Sequence, residues 1–86
     1  MIHELKCWPE PFQAIWEGKK TYELRKNDRD FQVGDFLQLE EYNPASGQYS
    51  GRCLRVRVTY LTSNGAWGLP EDMCILAIHN MTLGKE

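Results

Sequence analysis

No two of the three cysteines in this 86-residue chain, Cys7, Cys53 and Cys74, stand close enough to form a Cys-x-x-Cys pair, and their number is odd. A zinc ribbon or a disulfide framework needs closer or even sets, so buried reduced thiols are expected instead. Neither His3 nor His79 has a second ligand at metal-binding spacing, so no metal and no cofactor are expected. No apolar run nears the ~18 residues of a membrane helix, and the N-terminal residues lack a signal pattern. A cytoplasmic protein without membrane contact is predicted. Repeats, low-complexity stretches and linkers are also missing, and residues 1–86 read as one domain with a modest core. A chain this short buries roughly 60 to 65% of its unfolded surface, enough to fold without staples.

Positive charge is scarce overall, with a net charge of −2, which argues against bulk attraction to nucleic acid. Its placement is uneven. Gly18 to Arg29 holds five basic and two acidic residues, and Arg52, Arg55 and Arg57 follow one another with no acid between them. Such segregation can focus a positive field in one cleft of an acidic protein.

"IHELKC" alternates, with Ile2, Glu4 and Lys6 on one side and His3, Leu5 and Cys7 on the other, which predicts a short strand. In "WPEPFQAIWEG", Pro9 and Pro11 suit a first helical turn. Phe12, Ile15 and Trp16 then fall on one helix face, and Gly18 fits a left-handed cap. "KTYELRK" reads as a strand with Tyr22 and Leu24 turned to the core. "NDRD" reads as a turn, and Gly34 suits a positive φ in a tight bend. "FLQLEEY" is a strand with Leu37 and Leu39 on one face, and "NPASGQYSG" is a hairpin loop. "CLRVRVTYL" predicts Leu54, Val56, Val58 and Tyr60 inward. "TSNGAWGLPED" is a polar loop, "MCILAI" a central strand covered on both sides, and the chain frays after Asn80. The order β-α-β-β-β-β predicts a mainly β (α+β) fold: a small barrel of about five strands with the short helix across one opening. An open sheet with one covering helix is the alternative.

Alternation places Thr21, Glu23 and Arg25 opposite Tyr22 and Leu24. Lys20, at the helix-to-strand junction, can join them because pleat parity need not hold there. A carboxylate between two cations serves either as a surface ion network, worth under ~1 kcal/mol per pair, or as a preorganised polar site. The residues alone leave both open.

"GKKTYELR" carries Gly18, Lys20, Glu23 and Arg25 at the spacing G-x-K-x-x-E-x-R. This resembles the signature of the ASCH (activating-signal-cointegrator homology) domain at all four positions. The run from "HELK" through "RKNDRDF" and "VGD", with the later "ILAI", is similar to a small bacterial and phage family of ASCH-like proteins. The likeness extends to about Asn80. It implies a PUA-like barrel with a cleft between barrel and helix, and RNA, a nucleotide or a modified nucleoside as ligand. Carried over, Lys20 and Arg25 would bind phosphate or base carbonyls, and Glu23 would accept from a base or sugar or orient Lys20. Lys19, Lys26 and Arg29 would extend the positive rim. Trp67, flanked by glycines, would stack on a base or fold back on the barrel. Trp8 and Trp16 are expected in the core or against the helix, with Trp8 the nearer to a cleft, and Tyr22 in the core.

Some ASCH relatives hydrolyse an acylated cytidine with a lysine and a threonine nucleophile. The resemblance keeps that lysine as Lys20 but puts Glu23 where the threonine would stand. Thr21 lies two residues away, so a catalytic set of Lys20, Thr21 and Glu23 is only a partial match. The helical insertion of those relatives shrinks here to "TSNGAWGLPED", where Glu71 or Asp72 would have to replace a missing acid. Binding is therefore favoured over hydrolysis. A protein-interaction module, with an apolar patch around Trp67 and Leu69, is the third class. An enzyme would show Lys20 apart from Glu23 and within reach of Thr21. A binder would show Lys20, Glu23 and Arg25 lining one open groove.

Overall fold

The computed structural model describes residues 1–81. Five strands and one helix follow in the order β1 (Ile2–Cys7), α1 (Pro9–Trp16), β2 (Tyr22–Lys26), β3 (Phe36–Asn43), β4 (Gln48–Thr62) and β5 (Met73–Asn80). A 3-10 turn at Ala66–Gly68 lies in the β4–β5 loop. The strands form one sheet in the order β1-β3-β4-β5-β2. β1 runs parallel to β3, and every other pair is antiparallel. The sheet curls into a half-barrel, and β1 and β2 are its two edges. Because the chain leaves β1 at one edge and enters β2 at the other, α1 must cross the open side.

The alternation of β1 holds as expected, with His3, Leu5 and Cys7 buried and their neighbours exposed. The helix buries Phe12 and Ile15 completely, with Trp16 packed beside them. Burial of each is worth ~1.5–3 kcal/mol, which an eight-residue helix needs because it is too short to stand alone. Pro9 takes the first helical position, and Gly18 (φ +79°) ends the helix. The Gly18 N–H donates to Ile15 O and the Lys19 N–H to Ala14 O, the paired bonds of a Schellman cap. Leu37, Leu39, Leu54, Val56, Val58, Cys74 and Leu76 line the inner face of the sheet. Phe31, from the loop before β3, fills the remaining gap.

Several expectations are corrected. Tyr22 and Leu24 face solvent, and Glu23 between them is buried. The alternation was legible but its sense was inverted, since β2 is an edge strand whose inner face looks onto the polar gap beside β1. Tyr60 is also exposed rather than inward. The register shifts between Val58 and Tyr60, so Thr59 is an extra residue that reverses parity for the rest of β4. Cys53 is exposed, on the outward side of the β4 alternation, whereas Cys7 and Cys74 are buried thiols. Trp8 is not in the core but stands exposed before the helix.

At the C-terminal end, β5 reaches Asn80, and the Met81 N–H donates to Arg55 O at 2.8 Å. The rest of the expected frayed tail, residues 82–86, lies outside the described residues.

Candidate functional site

The Schellman cap aims the chain from α1 into β2. The backbone N–H of Lys20 donates back to Ala14 O at 3.1 Å, which fixes where the lysine side chain departs. From there Lys20 Nζ donates to Glu23 Oε1 at 3.2 Å. Two residues further along the same face of β2, Arg25 Nε donates to Glu23 Oε2 at 2.8 Å. Glu23 is only 4% exposed, and each of its carboxylate oxygens meets a cation. A buried carboxylate without such partners would be costly; here two charge-assisted bonds hold it.

Arg25 does more than neutralise Glu23. Its Nη2 donates to the backbone carbonyl of Lys6 on β1. Arg29 Nη1 donates to Glu4 O, the next outward-facing carbonyl of β1, at 3.1 Å. The two sheet edges, which share no ladder, are thus joined by two arginine side chains. A cleft of about 490 Å³ lies in the gap. A second hollow of about 380 Å³ shares Lys6, Arg25 and Arg29 with the first and adds Glu4, Glu40 and Tyr49.

Of the sequence-predicted residues, the structure brings Lys20, Glu23, Arg25, Lys26, Arg29 and Trp8 into the wall of the first cleft. It does not bring Lys19, which is exposed and paired with Glu17 at 3.1 Å. Thr21 is exposed, and its carbonyl accepts from Ile78 N at 3.0 Å in the sheet. Trp67 is 96% exposed in the β4–β5 loop and lines none of the cleft. Glu71 packs near Gly65 in that loop, and neither it nor Asp72 reaches the site. Arg55 and Arg57 lie on the outer face of the sheet.

Sequence reasoning missed Lys6, Asp28 and Cys7 in the wall. Lys6 and Cys7 follow from the strand order, which puts β1 opposite β2, and no local pattern reveals that. Asp28 is in the turn directly after β2, and that nearness to the motif was the one signal available. The Cys7 thiol is pushed up to about 12, first by burial and then by the charge of Glu23, so it is an inert wall rather than a nucleophile.

Two other buried carboxylates brace the fold. Glu41 accepts from Ser50 Oγ at 2.6 Å and from Arg52 Nε and Nη2 at 3.0 and 3.1 Å. Arg52 holds it below the usual carboxylate range. Arg52 also lies 5.0 Å over the rings of Phe12 and Trp16 and so ties β4 to α1. Asp35 faces buried His3, with Nε2 and Oδ2 2.8 Å apart, and accepts from Gln32 N at 3.0 Å. The His3 hydrogen bond, above all, holds Asp35 low.

Among the described residues, no group of three or more His, Cys, Asp or Glu side chains could hold a metal ion. No helix among them is long and apolar enough to cross a membrane.

A sequence model of the family described as "Domain of unknown function (DUF3850)" matches residues 2–78. The chain belongs to this family. A curated relative, the "Uncharacterized 12.9 kDa protein in GpA 3'region" of Escherichia phage P2, is 39% identical over 75 residues. That stretch is 87% of this chain and 65% of the phage protein, so the chain spans under two thirds of that relative's length. In this DUF3850 chain the matched region contains every residue of the cleft.

Proposed function

We propose that this DUF3850 chain is an ASCH-like binding module that takes RNA or a modified nucleoside in the cleft between β1 and β2. The observation that carries this reading is Glu23, buried between Lys20 and Arg25 in a cleft whose wall holds five basic and two acidic residues. In a chain of net charge −2, that local excess favours an anionic or carbonyl-rich ligand. The donors left over fit the same chemistry. Lys20 has two N–H bonds beyond the one to Glu23, and Arg25 keeps Nη1, so phosphate or base carbonyl oxygens are the natural partners. Glu23 positions these two cations and offers its remaining lone pairs to an amino group. Trp8, exposed on the rim, can pack against a base.

The geometry supports binding over hydrolysis of an acylated nucleoside. Lys20 is engaged with Glu23, Thr21 lies off the cleft, and the thiol that is present is unreactive.

The test is a tryptophan-fluorescence titration with a short mixed-sequence single-stranded RNA and with free nucleosides, at low and moderate salt. A Trp67→Phe, Trp16→Phe background silences the two rings that do not line the cleft, leaving Trp8 as the reporter. Saturable binding that weakens steeply with salt and is lost in Lys20→Ala and Arg25→Ala is expected. Unchanged binding in both variants would remove the cleft from the account.

A further inference from the structure

The outer face of the sheet carries a second feature that the cleft does not use. Registers set Tyr22 of β2, Ala77 of β5 and Tyr60 of β4 in one row across three strands. Tyr22 is 49% and Tyr60 68% exposed. Tyr60 faces outward only because of the bulge at Thr59, so β4 takes an extra residue there and leaves a large ring in water. With strands 4.7–4.9 Å apart, the two tyrosine backbones stand about 10 Å from each other, with only the Ala77 methyl between them. Each ring can therefore offer a face of its own.

The charges around the row are of one sign. Arg57 pairs in register with His79 beside it, and Lys26 with Met73 at the other end. Among the described residues neither Arg57 nor Lys26 has an acidic partner. Lys20 Nζ sits 5.1 Å from the Tyr22 ring centroid while also bonded to Glu23, so it stands on the lip where cleft and outer face meet. Glu23, next to Tyr22 in the chain, is buried on the opposite side of β2, Asp28 lines the cleft, and Glu71 and Asp72 belong to the loop before Met73, outside the register of this face.

We propose that this face binds single-stranded nucleic acid, with Tyr22 and Tyr60 each stacking a base and Arg57 and Lys20 contacting phosphates. Aromatic rings set on a sheet among cations suit bases of any sequence, because every base has a π-face and every linkage a negative charge. A second copy of the chain would bring this basic rim against itself, whereas a polyanion neutralises it. The proposal does not rest on the cleft reading. Tyr60 is two strands away from β2, and a ligand confined to the cleft never meets it.

The experiment is fluorescence anisotropy of dye-labelled oligouridine and oligothymidine with the wild type, Tyr22→Ser, Tyr60→Ser, Tyr60→Phe and Arg25→Ala, each checked for folding by circular dichroism. Both tyrosines are exposed, so the serine variants keep the fold. Tyr60→Ser is expected to weaken binding about fivefold to a hundredfold, the range for one stacked base, and Tyr22→Ser by a similar factor. Tyr60→Phe retains the ring and keeps near wild-type affinity. Loss in Tyr60→Ser with Arg25→Ala unaffected supports this face and takes the cleft out of oligonucleotide binding. Loss in Arg25→Ala alone does the reverse. No binding by the wild type at low salt overturns the proposal, as does a dimer in sedimentation that Tyr60→Ser dissociates without changing oligonucleotide affinity.

Discussion

Arg25 on β2 donates to the backbone carbonyl of Lys6 on β1, and so a side chain joins two strand edges that have no ladder between them. Arg29 and Glu4 repeat the arrangement along the gap. β1 and β2 run in opposite directions, as paired strands would, but arginine side chains rather than a ladder span the gap between them. That separation leaves room for the cleft. It also caps two outward carbonyls of β1, and an edge strand with capped carbonyls is a poor template for pairing with another chain.

Removing the straps should loosen the half-barrel unequally. Arg25→Ala leaves buried Glu23 with Lys20 alone and uncovers Lys6 O, so a loss of about 1–3 kcal/mol is expected in urea unfolding. Arg29→Ala removes one bond from an exposed residue and should cost less than about 1 kcal/mol. Arg25→Lys cannot reach both partners at once and should not restore the midpoint. Wild-type midpoints in all three variants would mean that the straps contribute nothing to closure.

Acid should weaken the fold through Asp35. Its carboxyl is held below the ordinary value, chiefly by the hydrogen bond from His3 and also by Gln32 N and the terminal amine of Met1. A carboxyl whose pKa is lower folded than unfolded stabilises the protein fully above its unfolded value, near 3.8, and loses that contribution as pH falls below it. Asp35→Asn should therefore be less stable at neutral pH and show a shallower fall in stability below about pH 4. Parallel pH profiles for the two proteins would show that the pair does not govern acid stability.

The three thiols should separate by burial. Cys53 is exposed, whereas Cys7 and Cys74 are buried and their thiols are raised, chiefly by burial. An aromatic disulfide reagent at pH 8 should modify one thiol quickly and the other two only when denaturant is added. Cys53→Ser should abolish the fast phase; a fast phase that survives would place a reactive thiol elsewhere.

Much of this was legible in local pattern. The β1 alternation, the Phe12–Ile15–Trp16 stripe and the Gly18 cap depend on residues a few positions apart, and local stereochemistry decides them. The motif residues Lys20, Glu23 and Arg25 were legible as a group for the same reason, being near neighbours on one segment. Other features were not. The period of a strand says that Tyr22 and Glu23 point opposite ways, and nothing local says which of them points inward. The bulge at Thr59 erased the parity that would have placed Tyr60. His3 and Asp35, 32 residues apart, meet only because β1 pairs with β3.

The sequence by itself therefore determined the elements, their order and the cluster of charge on β2, because each is set by contacts within a few residues. Only the tertiary structure decided that β1 and β2 become the two open edges, that Glu23 turns inward between them, and that Lys6 and Cys7 complete the wall. Those outcomes depend on strand order and on the curl of the sheet, and both arise when the whole apolar core is buried at once.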